Sequence, residues 1–174
     1  TNIYVHIDMA NLIAESDETN NKNFNTVLVS SAPDAVKNLV ASASTTISVA
    51  LTWNATGDDG FTGNLNNSTF TIQYTSVAAW AQGNSWSTNT ATVPGYVYTV
   101  EIATTGVTAG SQRFRNQTGL APNTTYFFRL WTKDDVGRYS PLSNGATAST
   151  LANPVTGAQV YNVFYTSVTV IWQT

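Results

Sequence analysis

The chain has 174 residues, 42% of them hydrophobic and only 10% charged, which is enough apolar material for a core and far below the roughly 25% charge of ordinary soluble domains. Seven Lys and Arg make no basic field for phosphates and so point away from nucleic acid, while the absence of Cys and the single His6 remove disulfides, thiolate zinc sites, Cys nucleophiles and His-based triads. Thr, Asn and Ser number 28, 18 and 15, no signal-peptide pattern opens the chain, and no apolar run nears the roughly 20 residues that span a bilayer.

In chain order, Ile3, Val5 and Ile7 alternate with polar neighbours and predict a strand, with a second at Val27 to Val29. Ile47, Val49, Leu51 and Trp53 alternate with Ser48, Ala50 and Thr52, the period of a half-buried strand. Phe70, Ile72 and Tyr74 alternate with Thr71 and Gln73, and Tyr98, Val100 and Ile102 with Val97, Thr99 and Glu101. Tyr126, Phe128 and Leu130 form one face of a further strand, opposite Phe127, Arg129 and Trp131. Gly, Pro, Asn and Asp clusters separate these runs, at Gly57 to Gly63, Pro94-Gly95, Pro122-Asn123 and Asp134 to Gly137 among others. No helical stripe lasts three turns. Many short strands between turn clusters predict an all-β, antiparallel sandwich of the immunoglobulin-like kind.

The chain also repeats itself. Ile47 to Trp53 is echoed by Thr166 to Trp172, and each run follows a proline segment, Pro33 to Leu39 and Pro154 to Val160. The two tryptophans are 119 residues apart, the size of one sandwich and its linker. The division predicted is terminal strands of a preceding sandwich in residues 1–31, one whole domain in 32–150, and the first strands of a following domain in 151–174.

Pro33, Val36, Leu39, Trp53 and Tyr74, then Leu120-Ala121-Pro122-Asn123-Thr124-Thr125-Tyr126 and Ser140-Pro141-Leu142-Ser143-Asn144, resemble a fibronectin type III domain over residues 32–150, with the start of a second from 154. The resemblance implies that Trp53, Leu120 and Tyr126 are core residues, with the Tyr126 hydroxyl bonded to backbone near Leu120, and that Trp172 takes the place of Trp53 in the second domain. The segment from Thr75 to Tyr96 departs from the pattern by its length. Residues 4–21, with the acidic turn Glu15, Asp17 and Glu18, resemble the closing hairpin of the bacterial cell-adhesion-related domain, another immunoglobulin-like sandwich.

Four aspartates draw attention. In the resembling fold, Asp58-Asp59 and Asp134-Asp135 lie in loops at one end of the sandwich, where clustered carboxylates could hold calcium through six to eight oxygens; the competing expectation is that they serve turn chemistry beside Gly. Trp80 and Trp86 in the long segment are candidates to stack on sugar rings or on another protein, against the expectation that they fold back over the sheet. Sequons at Asn54, Asn66, Asn67, Asn116 and Asn123 permit N-glycosylation where the source glycosylates. No paired acids in a walled cleft are expected, so no catalytic residue is assigned.

The resemblance implies a non-enzymatic structural or adhesive module of a repetitive extracellular surface or filament-forming protein. Its expected partners are other copies or neighbouring sandwiches, and surface glycans. The rival is an accessory spacer or carbohydrate-binding module of a secreted polysaccharide-degrading enzyme.

Overall fold

The computed structural model describes residues 2–6, 12–14, 16, 17, 19, 22–26, 30–83, 86–89 and 92–173, the stretches 2–6 and 22–26 by their backbone. The chain divides into two compact units, Thr1–Ser31 and Ala32–Thr174. In the first, β1 (Asn2–His6) and β2 (Lys22–Thr26) pair antiparallel, Ile3 opposite Asn25 and Val5 opposite Asn23. The strand expected at Val27 to Val29, together with Ile7, Glu15 and Glu18, lies outside the described residues.

The second unit is built from β3 (Val40–Ala43), β4 (Val49–Asn54), β5 (Ser68–Thr75), α1 (Ala78–Gln82), β6 (Tyr98–Thr104), β7 (Gln112–Gln117), β8 (Thr125–Lys133), β9 (Ala146–Ser149), β10 (Thr156–Val163) and β11 (Val168–Gln173). Strands β3-β4-β7 form one sheet and β6-β5-β8-β9 the other, with every pairing antiparallel. The two sheets are the halves of a β-sandwich, as the alternating runs predict. Among the described residues, strands β10 and β11 pair only with each other. No helix among the described residues is long and apolar enough to cross a membrane.

The core follows from alternation. On β4, Val49, Leu51 and Trp53 are buried while Ala50 and Thr52 are only partly so. They face Phe70 and Ile72 of β5 and Phe128 and Leu130 of β8, in one cluster with Val36, Leu39, Leu65 and Leu120. The Trp53 and Phe70 rings meet edge to face at 5.3 Å, an arrangement that the ring quadrupoles favour. Farther along the core, Tyr74 stacks on Tyr98 at 5.1 Å and on Phe128 at 5.7 Å. Tyr126 is buried, and its hydroxyl accepts the Ala121 N–H at 2.9 Å. Leu120, also buried, donates its N–H to Ile47 O and so ties the approach to β8 to the start of β4.

Two departures from simple alternation matter. Thr71, Gln73 and Thr75 face away from the core, yet all three are buried, as is Trp131 on the same outer side of β8. The long segment covers them: Gln73 Nε2 donates to Ser87 O at 2.6 Å and its Oε1 accepts the Ser87 N–H at 3.3 Å. Between β8 and β9 the ladder is completed by side chains. Ser143 Oγ accepts Leu130 N–H and Ser140 Oγ accepts Thr132 N–H, both at 2.9 Å, on either side of Pro141, which has no N–H to give. Asn144 works similarly against the chain before β3. Its Oδ1 accepts Leu39 N–H and its Nδ2 donates to Leu39 O, a side-chain imitation of a strand pair.

The Trp53 indole N–H has no partner in the core. Trp53 is buried all the same, so Trp53→Ala should cost about 3 to 5 kcal/mol by urea unfolding, as aromatic-to-alanine core substitutions do. Trp53→Phe should cost clearly less, because it keeps the edge contact to Phe70 and discards an unsatisfied donor.

Candidate functional site

Three regions carry the residues singled out in the sequence: the acidic end of the sandwich, the segment over the outer face of β5 and β8, and the hairpin β10–β11.

The acidic end is assembled by two tight loops. In the loop after β4, a Cβ on Gly57 would lie 2.1 Å from the backbone oxygen of Thr62, so only glycine fits. Gly57 N–H donates to Gly60 O at 2.9 Å, and Asp59 and Thr62 exchange backbone bonds at 3.0 Å. Gly60 and Gly63 take positive φ, as the turn requires. The same Gly60 carbonyl accepts the Asp34 N–H at 3.1 Å, which brings a fifth aspartate to this end that no local spacing in the sequence suggests. In the loop after β8, Asp134 is 2% exposed. Its Oδ1 accepts Arg138 N–H at 2.6 Å, and its own N–H donates to Arg138 O, so it staples the turn.

The carboxylates behave unequally. The backbone N–H of Asp135 faces the Asp58 carboxyl and favours its charged form. The Asp58 Oδ1 and the Asp134 Oδ2 are both sealed from solvent without a hydrogen-bond partner. Burial pushes the Asp58 carboxyl up from its usual range, and the negative charges of Asp135, Asp134 and Asp59 push the same way against the opposing Asp135 N–H. Asp135 itself is exposed. Among the described residues, no three His, Cys, Asp or Glu side chains close on one point as metal ligands. This corrects the expectation that all four aspartates converge: Asp134 turns inward to hold its own turn, which sends its neighbour Asp135 to the surface. In the acidic turn of the first unit, Asp17 Oδ1 accepts both the N–H and the hydroxyl of Thr19, and the carboxyl is lowered by those bonds.

Trp80 and Trp86 are half-buried, with rings 4.6 Å apart and edge to face. Trp80 lies on α1, and Trp86 returns to it through its Nε1 donating to Ala81 O at 3.1 Å. The Arg129 guanidinium sits 6.0 Å from the Trp86 ring and donates to Ser143 O at 2.7 Å. It also fills the space over Gly145, where a Cβ would come within 3.2 Å of Cζ. The two indoles thus pack on each other beside Arg129. The sequon asparagines Asn54, Asn66, Asn67, Asn116 and Asn123 are all exposed.

The hairpin β10–β11 reproduces β3–β4. Val40 pairs with Thr52 and Ala41 with Leu51; 119 residues on, Gln159 pairs with Ile171 and Val160 with Val170. The surroundings differ entirely. Val168, Val170 and Trp172, the counterparts of Val49, Leu51 and Trp53, are 54%, 41% and 57% exposed. Among the described residues no second sheet lies over this hairpin, and Trp172 stands exposed.

No protein-family model and no curated protein matches this sequence. Solved structures do. In fold, the chain is similar to fibronectin type III domains. The sixth fibronectin type III domain of human fibronectin type III domain containing protein 3 is 15% identical, with 73% of this chain and 93% of that one covered and a TM-score of 0.42. The chicken CNTN1 FN1–FN3 domains are 13% identical over 87% of this chain, with a TM-score of 0.44, and the chain spans 46% of that longer structure. A myokine structure is 14% identical, covered to 99% by 69% of this chain, with a TM-score of 0.40.

The raised Asp58 carboxyl carries a pH signature. Because its proton is held more tightly in the folded than in the unfolded state, acidification through the folded value adds stability, and the gain levels off below the unfolded value near 3.8. In chelator, Asp58→Asn should raise the melting temperature at pH 7, and that advantage should shrink as the pH falls toward 4. Thermal melts of both proteins across pH check this; an advantage that is absent or independent of pH contradicts the assignment of the strain to Asp58.

Proposed function

We propose that this chain is a non-enzymatic structural and adhesive module of a repetitive extracellular or cell-surface protein, joined head to tail into arrays or filaments through its terminal strands. One observation carries the reading. The same strand pattern occurs twice, in matching register at Gln159–Ile171 and Val160–Val170 before a bulge shifts it, once beneath a second sheet and once exposed among the described residues. A lone hairpin is marginal in water, and a row of Val, Ile, Tyr and Trp side chains facing solvent has a cost that cover would remove.

In this reading, β10–β11 is the opening hairpin of a following sandwich, and β1–β2 the closing hairpin of a preceding one. Polypeptide outside these 174 residues, or strands of another copy, supplies the remaining strands. Contacts of this kind join unlike surfaces and do not close on themselves, so they propagate. The addition of strands provides backbone hydrogen bonds as well as apolar cover. A surface rich in Thr, Asn and Ser, poor in Lys and free of Cys suits an exposed spacer whose folding does not depend on oxidation.

The test is association. The 174-residue chain should self-associate with rising concentration in analytical ultracentrifugation. A variant ending at Asn153 should stay monomeric with an unchanged melting temperature for the sandwich, and Trp172→Ser should weaken association part of the way. A full-length chain that remains monomeric at every concentration, or a truncation that associates equally, would contradict the reading.

A further inference from the structure

The outer face of the β3-β4-β7 sheet has no role in the assembly proposed above. Two rows of facing residues cross it: Val40, Thr52 and Phe114, and beside them Ser42, Ala50 and Asn116. Phe114 is 66% exposed, and its ring meets no other ring or cation among the described residues. A single exposed ring needs no explanation in itself, but the place of this one matters. Phe114 and Asn116 are two residues apart on β7, so they rise from the same face about 7 Å apart. Asn116 opens the sequon Asn116-Gln117-Thr118. Asn116 and Thr118 are both exposed, and the Asn116 carboxamide makes no hydrogen bond among the described residues. The other sequons lack this arrangement. Two residues before Asn54, Asn66 and Asn123 stand Thr52, Asn64 and Ala121, and before Asn67 stands the wholly buried Leu65. Asn66 is further engaged, its Oδ1 accepting the Gly106 N–H at 2.7 Å.

We propose that, on passage through a secretory compartment, Asn116 accepts an N-linked glycan whose first sugar seats on the Phe114 ring; the passage itself rests on the extracellular reading above. The donor is an oligosaccharide held on a lipid pyrophosphate, and an oligosaccharyltransferase brings the two together. Asn116 Nδ2 attacks C1 of the first N-acetylhexosamine. The Nδ2–C1 bond forms and the C1–O bond breaks. The lipid pyrophosphate leaves with the electron pair, and one amide proton passes to a carboxylate of the transferase. Once linked, the first sugar lies along the sheet with its C–H-rich face on Phe114, where slightly positive hydrogens meet the negative face of the ring. Ser42 and Ala50, the neighbours of Asn116 across the sheet, are small and leave room for it. The glycan then covers the exposed ring and stands beside the free edge of β7, which pairs only with β4 among the described residues. Such an edge invites pairing with other chains, and bulk beside it blunts that tendency.

The test secretes the full chain from a eukaryotic host, reads sequon occupancy by mass spectrometry, and compares each protein with its Asn116→Gln counterpart by thermal melting. Asn116 should be occupied in most molecules. The glycosylated parent should melt a few degrees above Asn116→Gln, and that gain should survive trimming of every glycan to a single sugar by an endoglycosidase. In the Phe114→Ala background the gain should vanish, since residues that act through one contact are not additive. Phe114 is an exposed side chain, so its removal leaves the core intact. Three results would overturn the proposal: an unoccupied Asn116, a gain that persists without Phe114, or a gain lost when only the first sugar remains. None of these readouts depends on self-association, so the assembly and the glycan seat stand or fall separately.

Discussion

The apolar face of β4 has value only when another sheet lies over it. Val49, Leu51 and Trp53 are buried because Phe70, Ile72, Phe128 and Leu130 stand opposite, and the edge contact between Trp53 and Phe70 is the point at which the two sheets lock. Each sheet alone would present a row of bulky side chains to water. Together they exclude it, and at roughly 25 cal/mol per Å2 of apolar surface the exclusion is the main favourable term in such a fold. The chain makes this dependence visible by repeating the β4 pattern in β11, where no cover lies among the described residues and the same residue types are exposed.

Around that constraint the remaining features act as seals. The outer face of β5 and β8 would ordinarily be solvated, and here the segment after β5 closes it, with Ser87 held to Gln73 and the Trp80–Trp86 pair lying with Arg129. Ser140, Ser143 and Asn144 supply hydrogen bonds where Pro141 breaks the strand. The satisfaction is incomplete, since the Trp53 indole N–H in the core and the Asp58 Oδ1 and Asp134 Oδ2 at the acidic end are among the sealed atoms without partners.

The sandwich and most of its core were legible in the sequence because alternation has period two and burial follows it: Val49, Leu51, Trp53, Phe70, Ile72, Phe128 and Leu130 all announce themselves. Strand β7 was not legible, since Gln112-Arg113-Phe114-Arg115-Asn116-Gln117 is an edge strand with one apolar residue, and that residue, Phe114, is exposed. Strands β3 and β9 are short and built of Ala, Ser, Thr and Val, and they owe their order to their neighbours. Helix α1 is five residues long, too short to show a period. Buried Gln73 reads as an outward polar residue until the segment that covers it is in place. At the acidic end, spacing located the two loops but not the inward turn of Asp134, nor the arrival of Asp34, because both depend on backbone bonds between distant residues. Trp172 was legible as a strand residue because the repeat reports a strand's pattern, while burial depends on what lies opposite.

The central claim is that β10–β11 is half of an interface, ordered as a hairpin but stabilised only when covered. Amide hydrogen exchange read by mass spectrometry tests it most directly, by comparing residues 156–173 with residues 49–54 of β4 in dilute and concentrated protein. The account predicts slow exchange in β4 at both concentrations, fast exchange in β10–β11 when dilute, and marked slowing there as concentration rises. Exchange in the hairpin as slow as in β4 in dilute monomer would contradict it.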